Sequence, residues 1–290
     1  MSKKVLLLFT KASADEGNAD PTALTSLLQS ADPTLEVRSA FLDDLVYFID
    51  DTRIEVRDAH GALLSDYDVV YFRHWGQMPG VALAAARYCQ LTGTPFVDRE
   101  VLRVGSHNKI TQYVNLHEAG VPIPMTLIGT IPSLVQHYEA WGFNFPCIVK
   151  SASGTRGKDN YLVESEAELR ALDKKHPATF FVMQTFIPNN GDYRVVVMGD
   201  KVALVLERRA VGATHLNNTS QGGIAHIVPA ETLPKAVLEL SVRAAQFFGR
   251  DVAGVDMVRS LDDGQYYCFE VNRAPQIEPV SLYTSDAADE

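Results

Sequence analysis

The sequence predicts an α/β chain assembled from α+β lobes. Apolar runs of strand length alternate along it with stretches whose apolar residues recur at helical spacing, as at Leu24, Leu27 and Leu28. Glycines and prolines separate these segments. At 290 residues and 46% hydrophobic, the chain can bury one large core or the cores of two to three small lobes. No internal repeat, low-complexity tract or long linker breaks the pattern.

Residues 4–9 read as a first buried strand. A basic start opens them as it would a signal peptide, but the apolar run stops at Thr10 and no small-residue cleavage site follows. A helix is expected over 21–29 and a short strand over 45–49. Residues 53–57 alternate, 59–61 give a turn and 67–72 are continuously apolar, which predicts a hairpin beside a core strand. A helix at 81–91 and a strand at 94–97 close the first lobe. The next helix, 106–118, has Ser106 as N-cap and Gly120 as its stop, after which Pro122 and Pro124 force an extended exit. A strand ending at Lys150, a glycine-bearing loop, a strand at 160–163, a helix at 166–175 and a strand at 179–183 follow. The last part has strands at 193–199 and 201–208 turning at Gly199-Asp200, a polar loop at 212–223 and a strand at 224–228. It ends with a helix at 231–248 and strands at 252–259 and 265–271 turning at Asp262-Asp263-Gly264. The expected division is 1–98, 99–187 and 188–290, three lobes around a central cleft.

A net charge of −10 and a pI near 5.3 exclude a surface that condenses on nucleic acid or on anionic lipid, since either needs a basic field. A small-molecule or peptide substrate is the expected partner. Cys89, Cys147 and Cys268 are far apart in apolar sequence, so they read as buried thiols of a reducing, cytoplasmic setting rather than as disulfides or a thiolate metal site. No apolar run approaches the roughly 20 residues needed to span a bilayer. The sequence leaves open a monomer or a homo-oligomer.

Near the C-terminus, Glu270-Val271-Asn272 places Glu270 and Asn272 on one face of a strand, with Cys268 beside them, while Phe269 and Val271 point the other way. A hairpin with the preceding strand would add Asp256. Two carboxylates and an amide oxygen are hard donors suited to Mg²⁺. Solvent-facing carboxylates on an edge hairpin have the same alternation, and both readings stand at this point.

Lys150 ends an apolar strand and Lys109 lies on the helix that opens the same lobe, each a point charge suited to phosphate. The loop after Lys150 carries Gly154, Thr155 and Gly157, small residues whose backbone N–H groups can approach phosphate oxygens, although it is not a Walker A sequence. Gln184, Phe186 and Ile187 end a strand with apolar residues around one amide, a setting that an adenine could use. Asp192 and Arg194 alternate onto one face, and Arg208 and Arg209 end the hairpin partner. Three guanidiniums without matching acids suggest anion recognition. Ordinary surface lysines and arginines are the alternative for each of these side chains.

Taken in order, these motifs resemble the ATP-grasp superfamily and, within it, the RimK-like peptide and amino-acid ligases, over roughly residues 105–275. The carrying motifs are Lys109 with Gly120-Val121-Pro122-Ile123-Pro124, Phe145-Pro146-Cys147-Ile148-Val149-Lys150, and Gln184-Thr185-Phe186-Ile187. Asp192-Tyr193-Arg194, Glu207-Arg208-Arg209, Asn218 with Gly222-Gly223, Gly254-Val255-Asp256 and Glu270-Val271-Asn272 complete the set. The resemblance implies an ATP-grasp fold behind an N-terminal pre-ATP-grasp α/β lobe. It implies that Lys109, Lys150, Gly154, Thr155, Gly157, Gln184, Phe186, Ile187 and Asp192 hold ATP. Asp256, Glu270 and Asn272 would hold two Mg²⁺ ions, for which Mn²⁺ is a compatible substitute. Arg194, Arg208 and Arg209 would neutralise the γ-phosphoryl group as it passes to a carboxylate, before an amine displaces phosphate. Arg73, Asn218, Gly222, Gly223 and Arg273 are the candidate substrate contacts. Two rivals carry the same motifs: a peptide-modifying macrocyclase and a nucleotide-binding regulatory protein without turnover. The chain departs from the family at Arg273-Ala274-Pro275-Gln276, where Ser-Pro-Gly is usual, at Gln221, where Arg is common, and around Lys158-Asp159 in the loop. These positions would face the acceptor, so the departures bear on substrate rather than on nucleotide.

Overall fold

Leu6, Leu7 and Leu8 have no exposure because the strand that carries them is covered on both faces, the usual setting of a parallel strand. The computed structural model describes residues 2–15, 20–49, 53–76, 78–103, 109–152, 159–176, 179–209, 224–273 and 275. The chain divides into two compact units, Met1–Gly105 with Gly249–Val252, and Ser106–Phe248 with Ala253–Glu290.

In the first unit β1 (Lys3–Phe9), α1 (Lys11–Asp15), α2 (Pro21–Ala31), β2 (Leu35–Phe41), β3 (Val46–Ile49), β4 (Ile54–Arg57), β5 (Val69–Phe72), α3 (Pro79–Thr92) and β6 (Phe96–Val97) follow one another. The sheet order is β2-β1-β5-β6, with all three pairings parallel. Phe72, Trp75 and the small residues Ala82, Ala85 and Ala86 of α3 fill one core with Leu6 and Leu8. Asp20 caps α2 by accepting from the backbone N–H of Thr22 and Ala23, with Pro21 next in the chain. Segment 249–252 is tied in by Arg250, whose guanidinium donates to both oxygens of the fully buried Glu100 at 2.7 Å.

Two expectations change here. β2 has no counterpart in the sequence reading, because Glu36, Arg38 and Ser39 interrupt its apolar residues and only Val37 and Ala40 are buried. The hairpin is β3 with β4, and the turn after β4 closes only the isolated bridge Arg57–Leu63.

The second unit has two sheets, built largely from antiparallel pairs. The first is built from β7 (Thr126–Thr130), β8 (Cys147–Ser151), β9 (Asn160–Val163) and β10 (Phe180–Thr185) in the order β7-β10-β8-β9. It carries α5 (Ile131–His137) and α6 (Glu166–Lys175), which bury Ile131, Leu134 and Leu169 against Phe181 and Val149. Neither β7 nor α5 was anticipated, because Gly129 and Pro132 divide a segment too short for a clear period. The second sheet is β13-β12-β11-β14-β15, made of β11 (Asp192–Met198), β12 (Lys201–Arg209), β13 (Ile224–Val228), β14 (Val252–Arg259) and β15 (Tyr266–Arg273). Residues of α4 (Lys109–Glu118) and α7 (Lys235–Phe248) share a core with its inner face, where Leu116, Val237 and Phe248 join Val195, Val205 and Val255. The alternating residues of these strands are left to the opposite face, and that face is polar.

Candidate active site

The polar face is set by register. In the antiparallel pair β14·β15, Asp256 lies opposite Glu270 and Gly254 opposite Asn272, and directly opposed residues share a face. In β11·β12, Asp192 lies opposite Arg208 and Arg194 opposite Leu206. A β-bulge interrupts β14·β15: Asp256 pairs with Glu270 and Met257 with Cys268, leaving Phe269 as the extra residue. This corrects the sequence expectation, in which strict alternation set Cys268 beside Glu270. The bulge instead returns Cys268 to the core with Met257 and Val271, and keeps Glu270 and Asn272 on the site face.

The guanidiniums of this face do have matching acids, contrary to the reading of three arginines without them. Arg194 donates through Nε to Asp256 Oδ1 at 2.8 Å and through Nη2 to Oδ2 at 2.9 Å. Arg208 donates to both oxygens of Asp192, at 2.6 and 2.9 Å, and its Nη2 is 3.0 Å from Asp256 Oδ2. Asn272 Nδ2 completes Asp256 at 3.1 Å. All four charged side chains are largely buried. Burial raises the Asp256 carboxyl, but Arg194 and then Arg208 more than offset it, so it is held below the usual carboxylate range. Asp192 goes the other way, pushed up to about 6 by burial, against Arg208 and with the neighbouring Asp256 adding to the rise. Two glycines admit this packing. A Cβ at Gly191, whose φ is +135°, would lie 2.4 Å from the Arg208 carbonyl oxygen, and one at Gly254 would lie 2.8 Å from Pro275 Cβ and 3.3 Å from Arg194 Cδ.

Lys150 sits on β8 of the first sheet and Lys109 opens α4. Lys150 Nζ donates to Gln184 Oε1 at 2.9 Å and lies 5.4 Å from the centre of the Phe269 ring. Lys109 Nζ donates to the Ser151 carbonyl at 3.1 Å, at the root of the glycine-bearing loop. Burial lowers Lys150 to about 8, with Glu270 opposing, Lys109 adding to the fall and Asp256 opposing. Lys109 is lowered by burial as well, with Glu270 and Asp159 opposing.

The fit to a divalent cation rests on donor chemistry. Asp256, Glu270 and Asn272 are the hard oxygen set that Mg²⁺ takes, and among the described residues the Glu270 carboxylate makes no hydrogen bond or salt bridge. Arg194, Arg208 and the Asn272 amide already bond the oxygens of Asp256, so a cation at this face would rest first on the Glu270 carboxylate and would share Asp256 with those donors. Among the described residues no three His, Cys, Asp or Glu side chains cluster as a metal site.

Arg209 points to the other face of β12, exposed and paired with Glu207 at 3.0 Å. Phe186 and Ile187 follow β10 half-buried, and the Ile187 carbonyl accepts from Asn189 Nδ2 at 2.8 Å. Arg273 ends β15 opposite Ala253, and Arg73 belongs to the first unit, where its backbone N–H donates to the Leu8 carbonyl at 3.0 Å. Gly154, Thr155, Gly157, Asn218, Gly222 and Gly223 lie outside the described residues, as do Ser106 and the loop 212–223. The sequence reading missed Tyr113 and Thr126. Tyr113 is a buried helical tyrosine whose hydroxyl lies 3.1 Å from Gln184 Oε1 and 2.9 Å from the Phe269 carbonyl, and Thr126 accepts from Gln184 Nε2 at 2.9 Å. Only the unusual Tyr amid the polar residues of α4 hinted at either.

Two largely antiparallel sheets that bring buried lysines, a carboxylate pair and paired arginines into one unit define an ATP-dependent ligase of the ATP-grasp class. Residues 106–290 match the RimK-like ATP-grasp domain, and the chain belongs to that family. A relative described as a probable alpha-L-glutamate ligase, from Enterobacter sp. (strain 638), is 28% identical over 228 residues, covering 77% of this chain and 74% of that protein. The solved structure of the ATP-grasp ligase PsnB complexed with minimal precursor is similar in fold, with a TM-score of 0.69 at 18% identity over 96% of this chain and 92% of that one. PsnB complexed with a phosphomimetic variant of that precursor, Mg and ADP aligns with a TM-score of 0.66 at 18% identity, over 96% and 92%. The protein is therefore a C–N bond-forming ligase of a family that uses ATP and Mg²⁺. Among the described residues no helix is long and apolar enough to cross a membrane.

Proposed function

We propose that the chain joins an amino acid, with glutamate the first to test, to the carboxylate of a peptide or small acid through an acyl phosphate. The observation that supports this most directly is the β14·β15 register, which sets Asp256 opposite Glu270 with Asn272 at 3.1 Å from Asp256. These three residues would hold two Mg²⁺ ions, whose chemistry is to neutralise and align the nucleotide's phosphate oxygens. Lys109 and Lys150 bind phosphate, together with Gly154, Thr155 and Gly157, while Phe186 and Ile187 flank the base. Asp192, filled by Arg208, fixes that arginine. Arg194 and Arg208 supply positive charge as the γ-phosphoryl group passes to a carboxylate oxygen and ADP leaves. The amine then attacks the acyl carbon and phosphate departs, leaving the amide. Arg73, Arg273, Asn218, Gly222 and Gly223 are the proposed substrate contacts, and residues 99–187 and 188–290 act as the two nucleotide lobes behind 1–98. A reducing, cytoplasmic setting suits three buried free thiols.

Incubation with ATP, Mg²⁺, pooled amino acids and acidic peptides is expected to release phosphate and to add one amino-acid residue to the product mass. No stimulation by any amino acid or peptide would overturn the reading. One solved PsnB structure is complexed with a precursor peptide, and a second reading is a peptide-modifying macrocyclase. A peptide product lighter by one water, with no amino acid added, would select it.

Lys150 also gives a pH dependence. Its folded pKa is about 8 against an ordinary value of 10.5, so the ammonium is present below about pH 8 and is lost as pH rises through that value. Phosphate binds the charged form. Equilibrium affinity for the Mg²⁺ nucleotide is expected to fall about tenfold between about pH 7 and about pH 9. A flat affinity over that range would remove Lys150 from the phosphate site.

A further inference from the structure

The amide of Gln184 has its orientation dictated by its neighbours. Thr126 Oγ1 donates its one proton to the Pro124 carbonyl at 2.7 Å, so toward Gln184 it can only accept. The Gln184 atom 2.9 Å from it must therefore be the NH₂ nitrogen. The other end, facing Lys150 Nζ at 2.9 Å and the Tyr113 hydroxyl at 3.1 Å, must be the carbonyl oxygen. The one Tyr113 proton is shared between Gln184 Oε1 at 3.1 Å and the Phe269 carbonyl at 2.9 Å, on the extra residue of the β15 bulge, and the Phe269 ring lies beside the same ammonium. Lys150 is thus gripped by a neutral oxygen and an aromatic ring, both held by one tyrosine. A carboxylate at position 184 would grip it equally well but would cancel its charge.

We propose that Gln184, its amide locked by Thr126 and Tyr113, is a positioning residue that presents the Lys150 ammonium to nucleotide phosphate with an amide oxygen, and not a carboxylate, as its hydrogen-bond partner. The proposal rests on the nucleotide reading of this site. It assigns to Gln184 an action through Lys150 and not a contact with the base. Thermal melting with equilibrium binding of MgADP and of adenosine, by competition against a fluorescent ADP analogue, separates the possibilities without requiring turnover. Gln184→Glu is expected to keep or raise Tm and to weaken MgADP by about tenfold or more, because a charge-assisted contact is cancelled, while adenosine is unchanged. Gln184→Met, neutral and similar in size, is expected to weaken MgADP less than Gln184→Glu does. Thr126→Val, which frees the amide to turn, is expected to raise KM for ATP several-fold with kcat little changed. Equal loss of adenosine and MgADP in Gln184→Glu would place the amide on the base and overturn the proposal, as would unchanged MgADP affinity in both position-184 variants. If Gln184→Glu fails to fold, a Thr126→Val variant with wild-type Tm and wild-type KM for ATP overturns it. Failure of the wild-type protein to bind MgADP at all would instead remove the nucleotide reading beneath it.

Discussion

Glu270→Ala is expected to lower ATP turnover by about a thousandfold while leaving the folded state intact. The two halves of this expectation have separate causes. The carboxylate makes no hydrogen bond or salt bridge among the described residues, so its removal breaks no contact and leaves no partner buried and unsatisfied. It nevertheless stands opposite Asp256 and is the largest source of negative potential opposing the burial of both Lys109 and Lys150. The expected role of that charge is therefore in the chemistry of the site and not in a bonded contact. Steady-state ADP release and a melting curve check the two halves on one sample. Unchanged turnover in the variant would remove Glu270 from the metal set. A collapsed melting curve would show that its charge holds the fold.

The order of strands on which these residues lie was largely legible in the sequence. β11, β12, β14 and β15 carry long apolar runs punctuated by Gly199-Asp200 and Asp262-Asp263-Gly264, so period and turn chemistry agree. The alternation that put Glu270 and Asn272 on one face held, but the bulge at Phe269 removed Cys268 from it. A bulge leaves no mark in an apolar run when both registers would bury an apolar residue. The pairing of Arg194 with Asp256 was also out of reach, since it depends on β14 lying beside β11, a neighbour relation that no local pattern encodes. The pairing of Arg208 with Asp192 is local to the β11·β12 hairpin, where the two residues are directly opposed, and the reading of arginines without acids passed it over. Tyr113 and Thr126 were missed for a similar reason, since their roles exist only once α4, β7, β10 and the β15 bulge meet. β2 escaped notice because an edge strand buries too little to need a continuous apolar run.

Arg208→Met is expected to destabilise the protein by about 3–5 kcal/mol, the range for removing one member of a buried ionic set. Arg208 is 3% exposed and serves two carboxylates, those of Asp192 and Asp256, at 9% and 6%. Methionine fills a similar volume but leaves Asp192 without the guanidinium that now opposes its rise, while Asp256 keeps Arg194 and Asn272. The loss should therefore fall mainly on Asp192, and it carries a sign in pH. Asp192 is raised to about 6 from the ordinary 3.8 even with Arg208 present, and without it the folded pKa rises further. For an acid with a raised folded pKa, the cost of ionisation is full above that value, shrinks as pH falls below it and is gone only below the ordinary 3.8. The deficit measured by denaturant midpoints should narrow on acidification from neutral pH, and Asp192→Asn in the same chain should recover most of it. A deficit independent of pH and untouched by Asp192→Asn would mean that Arg208 stabilises through packing, and that the Asp192–Arg208–Asp256 set is not what orders this face.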